Sequence, residues 1–168
     1  KHLGVIAAFE WQPEVEGFYE GAAFYDDEVN VDIYYVGHWD NDQKALDILE
    51  KALDGGADVI YPAGDGYNVP VIERVKERGL YVVGYISDQS DLGESTVLTS
   101  TVQHVDVLYE LVATKFNQNE LTAGNLYFDI QDGVISLGDF SPNVDSNFRE
   151  SIQQQINEYK ETGKLPNE

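Results

Sequence analysis

Val59-Ile-Tyr-Pro-Ala-Gly64-Asp-Gly-Tyr-Asn68-Val-Pro-Val71, continued by Tyr81-Val-Val-Gly-Tyr-Ile86-Ser-Asp-Gln89, decides the fold class of this chain. The stretch opens on a short apolar strand and turns through glycines and an acid. A helix then starts near Asn68 with Pro70 in its first turn, and a second apolar strand follows. Proline loses nothing in a first helical turn, because the N–H it lacks would have no intrahelical partner. The remaining unpaired amides of that turn point back toward Gly64, Asp65 and Gly66. Strand, turn, helix and strand make the repeating unit of a parallel sheet, and small ligands in open α/β sheets sit where strands hand over to helices. The stretch has the architecture of a binding site and holds no evident catalyst.

The same unit recurs on the amino-terminal side. Leu3 to Ala8 reads as the first strand, with a helix from about Pro13 to Tyr25 after it. Val31 to Val36 reads as the second, and Ala45, Leu46, Leu49, Ala52 and Leu53 then keep helical spacing up to a stop at Gly55-Gly56. Val59 to Tyr61 and Tyr81 to Ile86 are the third and fourth strands, bridged by a helix that buries Ile72 and Val75 and ends at Gly79. Beyond them the pattern loosens. Asp91 to Ser95 is a polar turn, and Thr96 to Ser100 reads as a short extended crossing segment. Val105, Leu108, Val112 and Phe116 mark an amphipathic helix, and two strands about Asp132-Gly133 predict a hairpin. Val144 to Tyr159 carries Phe148, Ile152, Ile156 and Tyr159 on one stripe, a helix that must dock on something. The expected organisation is an α/β layer with helices on both faces of a parallel sheet over 1–95. A crossing segment and helix occupy 96–120, and a return hairpin and terminal helix occupy 121–168.

A chain of 168 residues suits one domain with a sizeable core. Its formal charge of −21 comes from 31 acids against 10 bases spread along the sequence. Such a surface repels phosphates, so direct binding to DNA, RNA or an anionic membrane is excluded as the role of this segment. With no Cys, disulfides, zinc–thiolate sites and thiol nucleophiles are ruled out together. No apolar run approaches the ~20 residues a bilayer requires. The chain opens at Lys1, has no Met and enters a strand at once. We read it as the carboxyl-terminal part of a longer protein whose targeting segment lies in the missing part.

Each chemical motif has a plainer counterpart. Gly64-Asp-Gly66 suggests a phosphate loop, but Val69 stands where a dinucleotide fingerprint needs glycine, and no Lys followed by Ser or Thr is present. Asp65 would also repel phosphate. Two readings stay open: a tight turn feeding the helix, or a site for a neutral polar ligand whose hydroxyls Asp65 accepts. Asp88 and Gln89 close the fourth strand and are expected beside the Asp65 loop. They serve either as acid/base groups or, as such acids more often do, as caps of turns. Trp11 and Trp39 follow the first two strands and either stack on a ring-bearing ligand or serve as rim aromatics. His38-Trp-Asp-Asn-Asp42 matches no metal-site spacing, and Asp40 or Asn41 capping the next helix accounts for it better. No nucleophile elbow or Ser/His/Asp order is present. We therefore expect no catalytic residues, no metal and no cofactor. Gly64, Asp65, Tyr67, Asp88, Gln89 and Trp11 are expected to line one concavity at the carboxyl edge of the sheet.

Trp11-Gln-Pro-Glu-Val-Glu-Gly-Phe18, His38-Trp-Asp-Asn-Asp42, Tyr61-Pro-Ala-Gly-Asp-Gly-Tyr-Asn-Val-Pro-Val-Ile72 and Ser87-Asp-Gln-Ser90 through Thr96-Val-Leu-Thr-Ser100 together resemble the basic membrane protein (BMP) family. These are PnrA-like substrate-binding lipoproteins of ABC transporters, and the likeness covers nearly the whole chain against the back half of the family. The resemblance implies a type I periplasmic-binding-protein fold, with this chain supplying mainly the second of two lobes. The helix near Val105 to Phe116 would then belong to the missing amino-terminal lobe. It also implies a lipoprotein on the extracytoplasmic face of the cell membrane, anchored through that missing part. Transport-type members read Gly-Val-Asp-Ser-Asp-Gln at the fourth strand and carry Lys-Arg after the Leu-Thr-Ser crossing. This chain reads Gly84-Tyr-Ile-Ser-Asp-Gln89 and Gln103-His104. Ile86 and Gln103 thus replace an acid and a lysine suited to ribose hydroxyls, and losing both avoids an uncompensated buried charge. Gln103 joins the expected ligand-binding set on this ground. The pattern implies a pocket that has changed or lost its nucleoside-like ligand. Within the family the motifs resemble most a positive regulator of competence-gene transcription, and the changed pocket suits such a regulator, acting indirectly through ligand sensing or a protein partner. The other reading is a transport receptor for a nucleoside or related small molecule.

Overall fold

The computed structural model describes residues 1–166, so the last two positions of the expected 121–168 segment lie outside the described residues. Twelve elements follow in order: β1 (His2–Ala7), α1 (Pro13–Tyr25), β2 (Asn30–Tyr35), α2 (Asp42–Asp54), β3 (Val59–Ala63), α3 (Asn68–Glu77), β4 (Tyr81–Ile86), a 3-10 turn (Ser90–Leu92), β5 (Val97–Gln103), α4 (Val105–Asn117), β6 (Ile135–Leu137) and α5 (Ser146–Thr162). The strands form one six-stranded sheet in the order β2-β1-β3-β4-β5-β6. All pairings are parallel except β5 with β6. The mixed α/β architecture, a mostly parallel sheet flanked by helices, is the one expected.

Helices cover both faces because the chain reverses direction across the sheet. β1 leads out to β2 through α1, and the path then returns past β1 to β3 and β4 through α2 and α3. With right-handed crossovers, reversing the direction moves the connecting helix to the other face. Two apolar cores result. Ile6, Ala8, Leu49, Ile60, Ile72, Val75 and Val82 pack with α2 and α3 on one side. Val5, Ala7, Val15, Tyr61 and Tyr85 pack with α1 on the other. Gly4 lets α2 approach the sheet, since a Cβ there would stand 2.9 Å from Ile60 Cδ1 and 3.4 Å from Ala52 Cβ. The order also puts a switch point between β1 and β3, the place where a crevice opens at the carboxyl ends of such sheets.

The extended reading of Thr96–Ser100 holds and lengthens into strand β5, in register with β4 from Val83↔Thr99 to Ile86↔Val102. One expectation needs correction. The hairpin about Asp132-Gly133 does not form. Residues 129–134 make a turn, with the Val134 amide donating to Asp129 O at 3.1 Å, and the strand beyond it pairs with β5 instead (Thr101↔Leu137, Gln103↔Ile135). The free edge of β5 offers a ladder of unpaired backbone groups that a short local hairpin cannot match. α4 and α5 contain no buried residue.

Candidate functional site

Four loops rise from the carboxyl ends of the parallel strands β1 to β4. They are 8–12 after β1, 36–41 after β2, 64–67 after β3 and 87–89 after β4. None contains Lys or Arg, whereas Glu10, Asp40, Asp65 and Asp88 all lie in them. The rim is therefore acidic, and a phosphate would meet carboxylates instead of a cradle of cations.

Trp11 stands at the switch point and is 69% exposed. Its indole stacks on Phe9, with ring centroids 5.4 Å apart and planes 11° from parallel. Trp39 meets both rings edge-on, 5.4 Å from Phe9 and 5.8 Å from Trp11. Loops from β1 and β2 thus build a three-ring platform that leaves one indole face free. That arrangement suits a ring-bearing ligand. Beneath it, Gln12 is buried: its Oε1 accepts from the Phe9 amide at 2.8 Å, and its Nε2 donates to Ala63 O at 3.0 Å and to Glu14 Oε1 at 3.3 Å. The Tyr85 hydroxyl donates to the same Glu14 oxygen at 2.5 Å. Burial and the hydrogen bond to Glu14 push the Tyr85 phenol far up, so it stays a donor throughout the physiological range.

The Gly64-Asp-Gly66 turn has a packing explanation. A Cβ on Gly64 would lie 2.0 Å from Tyr67 Cζ, and one on Gly66 would lie 2.8 Å from Asp40 Cβ. Both glycines make room, one for the Tyr67 ring and one for the β2–α2 loop. Tyr67 itself is fully buried, with its hydroxyl donating to Ile6 O at 3.0 Å. It supports the rim from below and does not face the open edge. Asp65 and Gly66 are the exposed residues of this turn, and Asp65 carries its one exposed side chain.

Asp88 and Gln89 do not stand at the tip of β4. Ile86 adopts φ +68°, and the chain folds back so that the Gln89 amide donates to Ser100 Oγ at 3.1 Å while Gln89 Oε1 accepts from the Tyr85 amide at 2.9 Å. Gln89 is buried against Gly84, where a Cβ would stand 2.3 Å from Ser100 Oγ. Asp88 turns toward β6 and accepts from the amides of Ser90 at 3.0 Å and Asp139 at 2.9 Å. Partial desolvation pushes its carboxyl up, but those two amides outweigh it and hold the group below the usual carboxylate range. Both residues do structural work that ties β4, β5 and β6 together. The β4–β5 register sets Ile86 opposite Val102, so Gln103 is the next residue along.

The expected rim residues therefore divide. Trp11 and Asp65 are open to the edge, Gly64 and Tyr67 shape it, Asp88 and Gln89 brace it, and Gln103 ends β5 half-buried. In the 38–42 run Asn41 caps α2, its Oδ1 accepting from the Lys44 amide at 3.1 Å. Among the described residues no group of His, Asp and Glu is placed to hold a metal ion. Sequence reasoning missed Gln12 and Tyr85. A glutamine directly before Pro13 at a helix start is an uncommon cap, and that oddity is the signal that could have found it.

Comparison with known proteins agrees with this fold. A family model described as "ABC transporter substrate-binding protein PnrA-like" matches residues 2–168. The chain is 52% identical over 98% of its length to the "Transcriptional activator protein med" of Bacillus subtilis, covering 52% of that protein. A solved structure described as a transcriptional activator of the comK gene from Bacillus halodurans superposes with a TM-score of 0.89 at 53% identity, over 98% of this chain and 58% of that one. The "ABC transporter nucleoside-binding protein BmpA" of Lactococcus lactis is 25% identical over 80% of this chain and 42% of its own length. The chain thus spans about half the length of the curated relatives it matches. On this match over nearly its whole length, the chain belongs to the PnrA-like (Bmp) family of substrate-binding proteins.

Proposed function

We propose that this chain is mainly the second lobe of a non-enzymatic, solute-binding-like domain in a lipoprotein that promotes competence-gene transcription indirectly, from the extracytoplasmic side of the membrane. The observation that carries the reading is 52% identity over 98% of the chain to a protein named as a transcriptional activator. The charge of −21 supports an indirect route. Trp11, Asp65 and Gln103 face the ligand, which is ring-bearing and uncharged, on a rim shaped by Gly64 and Tyr67 and braced by Asp88 and Gln89. α4, whose apolar stripe joins half-buried Leu108 and Val112 to exposed Tyr109 and Phe116, belongs to the amino-terminal lobe, which completes the cleft. A gel-shift series with the purified chain and the promoter of an activated gene tests the indirect route. No sequence-preferring shift is expected at physiological salt, and a saturable, salt-dependent shift would overturn it.

A second reading, a transport receptor for a nucleoside or a related small molecule, is favoured by the likeness to a nucleoside-binding relative. The β4–β5 register puts Ile86 opposite Val102, one residue before Gln103, and the two replaced positions are tested together. On the regulatory reading the full-length protein binds purine nucleosides weakly or not at all. Ile86→Asp with Gln103→Lys recovers some binding and each single change recovers less, since a desolvated charge without its partner lacks its offset. Tight nucleoside binding by the unmodified protein in calorimetry favours the transport reading instead.

A further inference from the structure

In a sheet of this order the crevice between β1 and β3 is the usual seat of a ligand's polar end. Here a protein side chain fills it. Gln12 reaches from the β1 loop across the switch point to Ala63 O at the end of β3, lies 3.4 Å from the Tyr85 hydroxyl of β4, and closes a ring onto the Phe9 amide of its own loop. It occupies the N-cap of α1 yet makes no capping bond with its side chain. Pro13 removes one free amide of that helix start, and Glu14 adds a carboxylate to its first turn. The two residues that bracket Trp11, Phe9 and Gln12, are thus joined to each other and to a neighbouring strand. Free rotation of that loop would scatter the three aromatic rings.

We infer that Gln12 is the positioning residue of the rim: it plugs the switch-point crevice and fixes the Trp11 loop, so that a ligand meets a preformed aromatic platform above the sheet and not a slot between its strands. The inference rests on the proposed role of Trp11 as a ligand platform, but the geometry it concerns exists without ligand. Rigid placement of this kind lowers the ordering cost of binding. A phosphate-bearing ligand is disfavoured for the same reason, since the crevice offers it a carboxamide and the Glu14 carboxylate in place of free amides.

The test uses the full-length protein and needs no ligand. Trp11 and Trp39 are the two tryptophans of this chain, 5.8 Å apart and 71° from parallel, so their exciton couplet in circular dichroism reports the loop. Spectra are taken as the difference from a Trp11→Phe reference. Gln12→Leu keeps the bulk and loses every side-chain hydrogen bond of this position, whereas Gln12→Glu keeps an acceptor for Phe9 at any pH and regains the donor to Ala63 only when protonated. The titratable groups facing this position are Glu14 from α1 and Tyr85 from β4, with Tyr61 of β3 behind Tyr85. Glu14 is a like charge and, with burial, keeps the introduced carboxyl protonated to well above its ordinary value. The expected result is a couplet unchanged in the wild type between about pH 5.5 and pH 8, absent in Gln12→Leu throughout, and present in Gln12→Glu only at the lower pH. Exchange of the Phe9 amide should quicken about tenfold in Gln12→Leu, which offers that amide no acceptor, but not in Gln12→Glu, whose carboxylate accepts from it at either pH. A merely space-filling glutamine would leave Gln12→Leu with the full couplet and Gln12→Glu without pH dependence, and either result overturns the inference. If Gln12→Leu does not fold, judged by its helical signal, the pH response of Gln12→Glu decides alone.

Discussion

Ile86 holds φ +68° at the end of β4, a left-handed conformation that a β-branched residue enters only under constraint. The constraint is the fold-back after it, held by the Ser87 amide donating to Tyr85 O at 2.9 Å and by the bonds of Gln89 to Tyr85 and Ser100. A left-handed residue costs about 1–2 kcal/mol, and burying roughly half of an isoleucine side chain returns about 1 kcal/mol. Ile86→Ala loses the burial and keeps the strain, whereas Ile86→Gly loses both. Glycine adds unfolded-chain entropy worth about 0.4–1 kcal/mol. The balance leaves Ile86→Gly more stable than Ile86→Ala by about 0.5–1 kcal/mol, the reverse of the usual order. At a urea slope of about 2 kcal/mol/M, its midpoint should lie about 0.3–0.5 M higher with the slope unchanged. Unfolding followed by tryptophan emission reads this directly. Equal midpoints, or a higher one for alanine, would refute both the strain and the account of how Gln89 is brought under β5.

Gly64→Ala should cost about 3 kcal/mol or more, because its Cβ meets a buried ring that cannot move without losing its bond to Ile6. Gly17→Ala, in mid-helix with nothing within 4 Å, should stabilise by up to about 1 kcal/mol in the same urea assay. Tyr85→Phe leaves Glu14 and Gln12 without their shared hydroxyl and should cost about 1–2 kcal/mol, measured as a midpoint shift with the far-ultraviolet spectrum intact. Asp88 titrates below its unfolded value, so its contribution is present above the unfolded pKa and is lost as pH falls through the folded one. The gap in urea midpoint between wild type and Asp88→Asn should hold at neutral pH and close below about pH 4.

Periodicity made the parallel layer readable, because strands buried on both faces read as apolar runs and α2 announces itself by spacing and by its Gly55-Gly56 stop. The partner of β6 was not readable. Asp132-Gly133 is a sound turn signal, but the strand beyond it is recruited by the free edge of β5 some thirty residues earlier, a non-local choice that no turn rule contains. The rim was legible in part. Trp11 and Asp65 follow strands and face outward as such residues do. Tyr67 and Gln89 looked like their neighbours in sequence yet point inward, because Gly64 vacates the volume for a phenol ring and the left-handed turn at Ile86 reverses the chain. Side-chain direction after a strand depends on that local backbone geometry, which residue type alone does not disclose.

The central claim is that this edge still binds a small molecule and that Trp11 is the surface it binds to. Native mass spectrometry of the full-length protein, purified without added ligand and compared with its Trp11→Ala variant, tests it most directly. The account predicts an uncharged, ring-bearing compound that travels with the wild-type protein and is lost from the variant, while both unfold at the same urea midpoint. A compound retained equally by both proteins, or a wild-type protein that carries none and gains none from a metabolite extract, would contradict it.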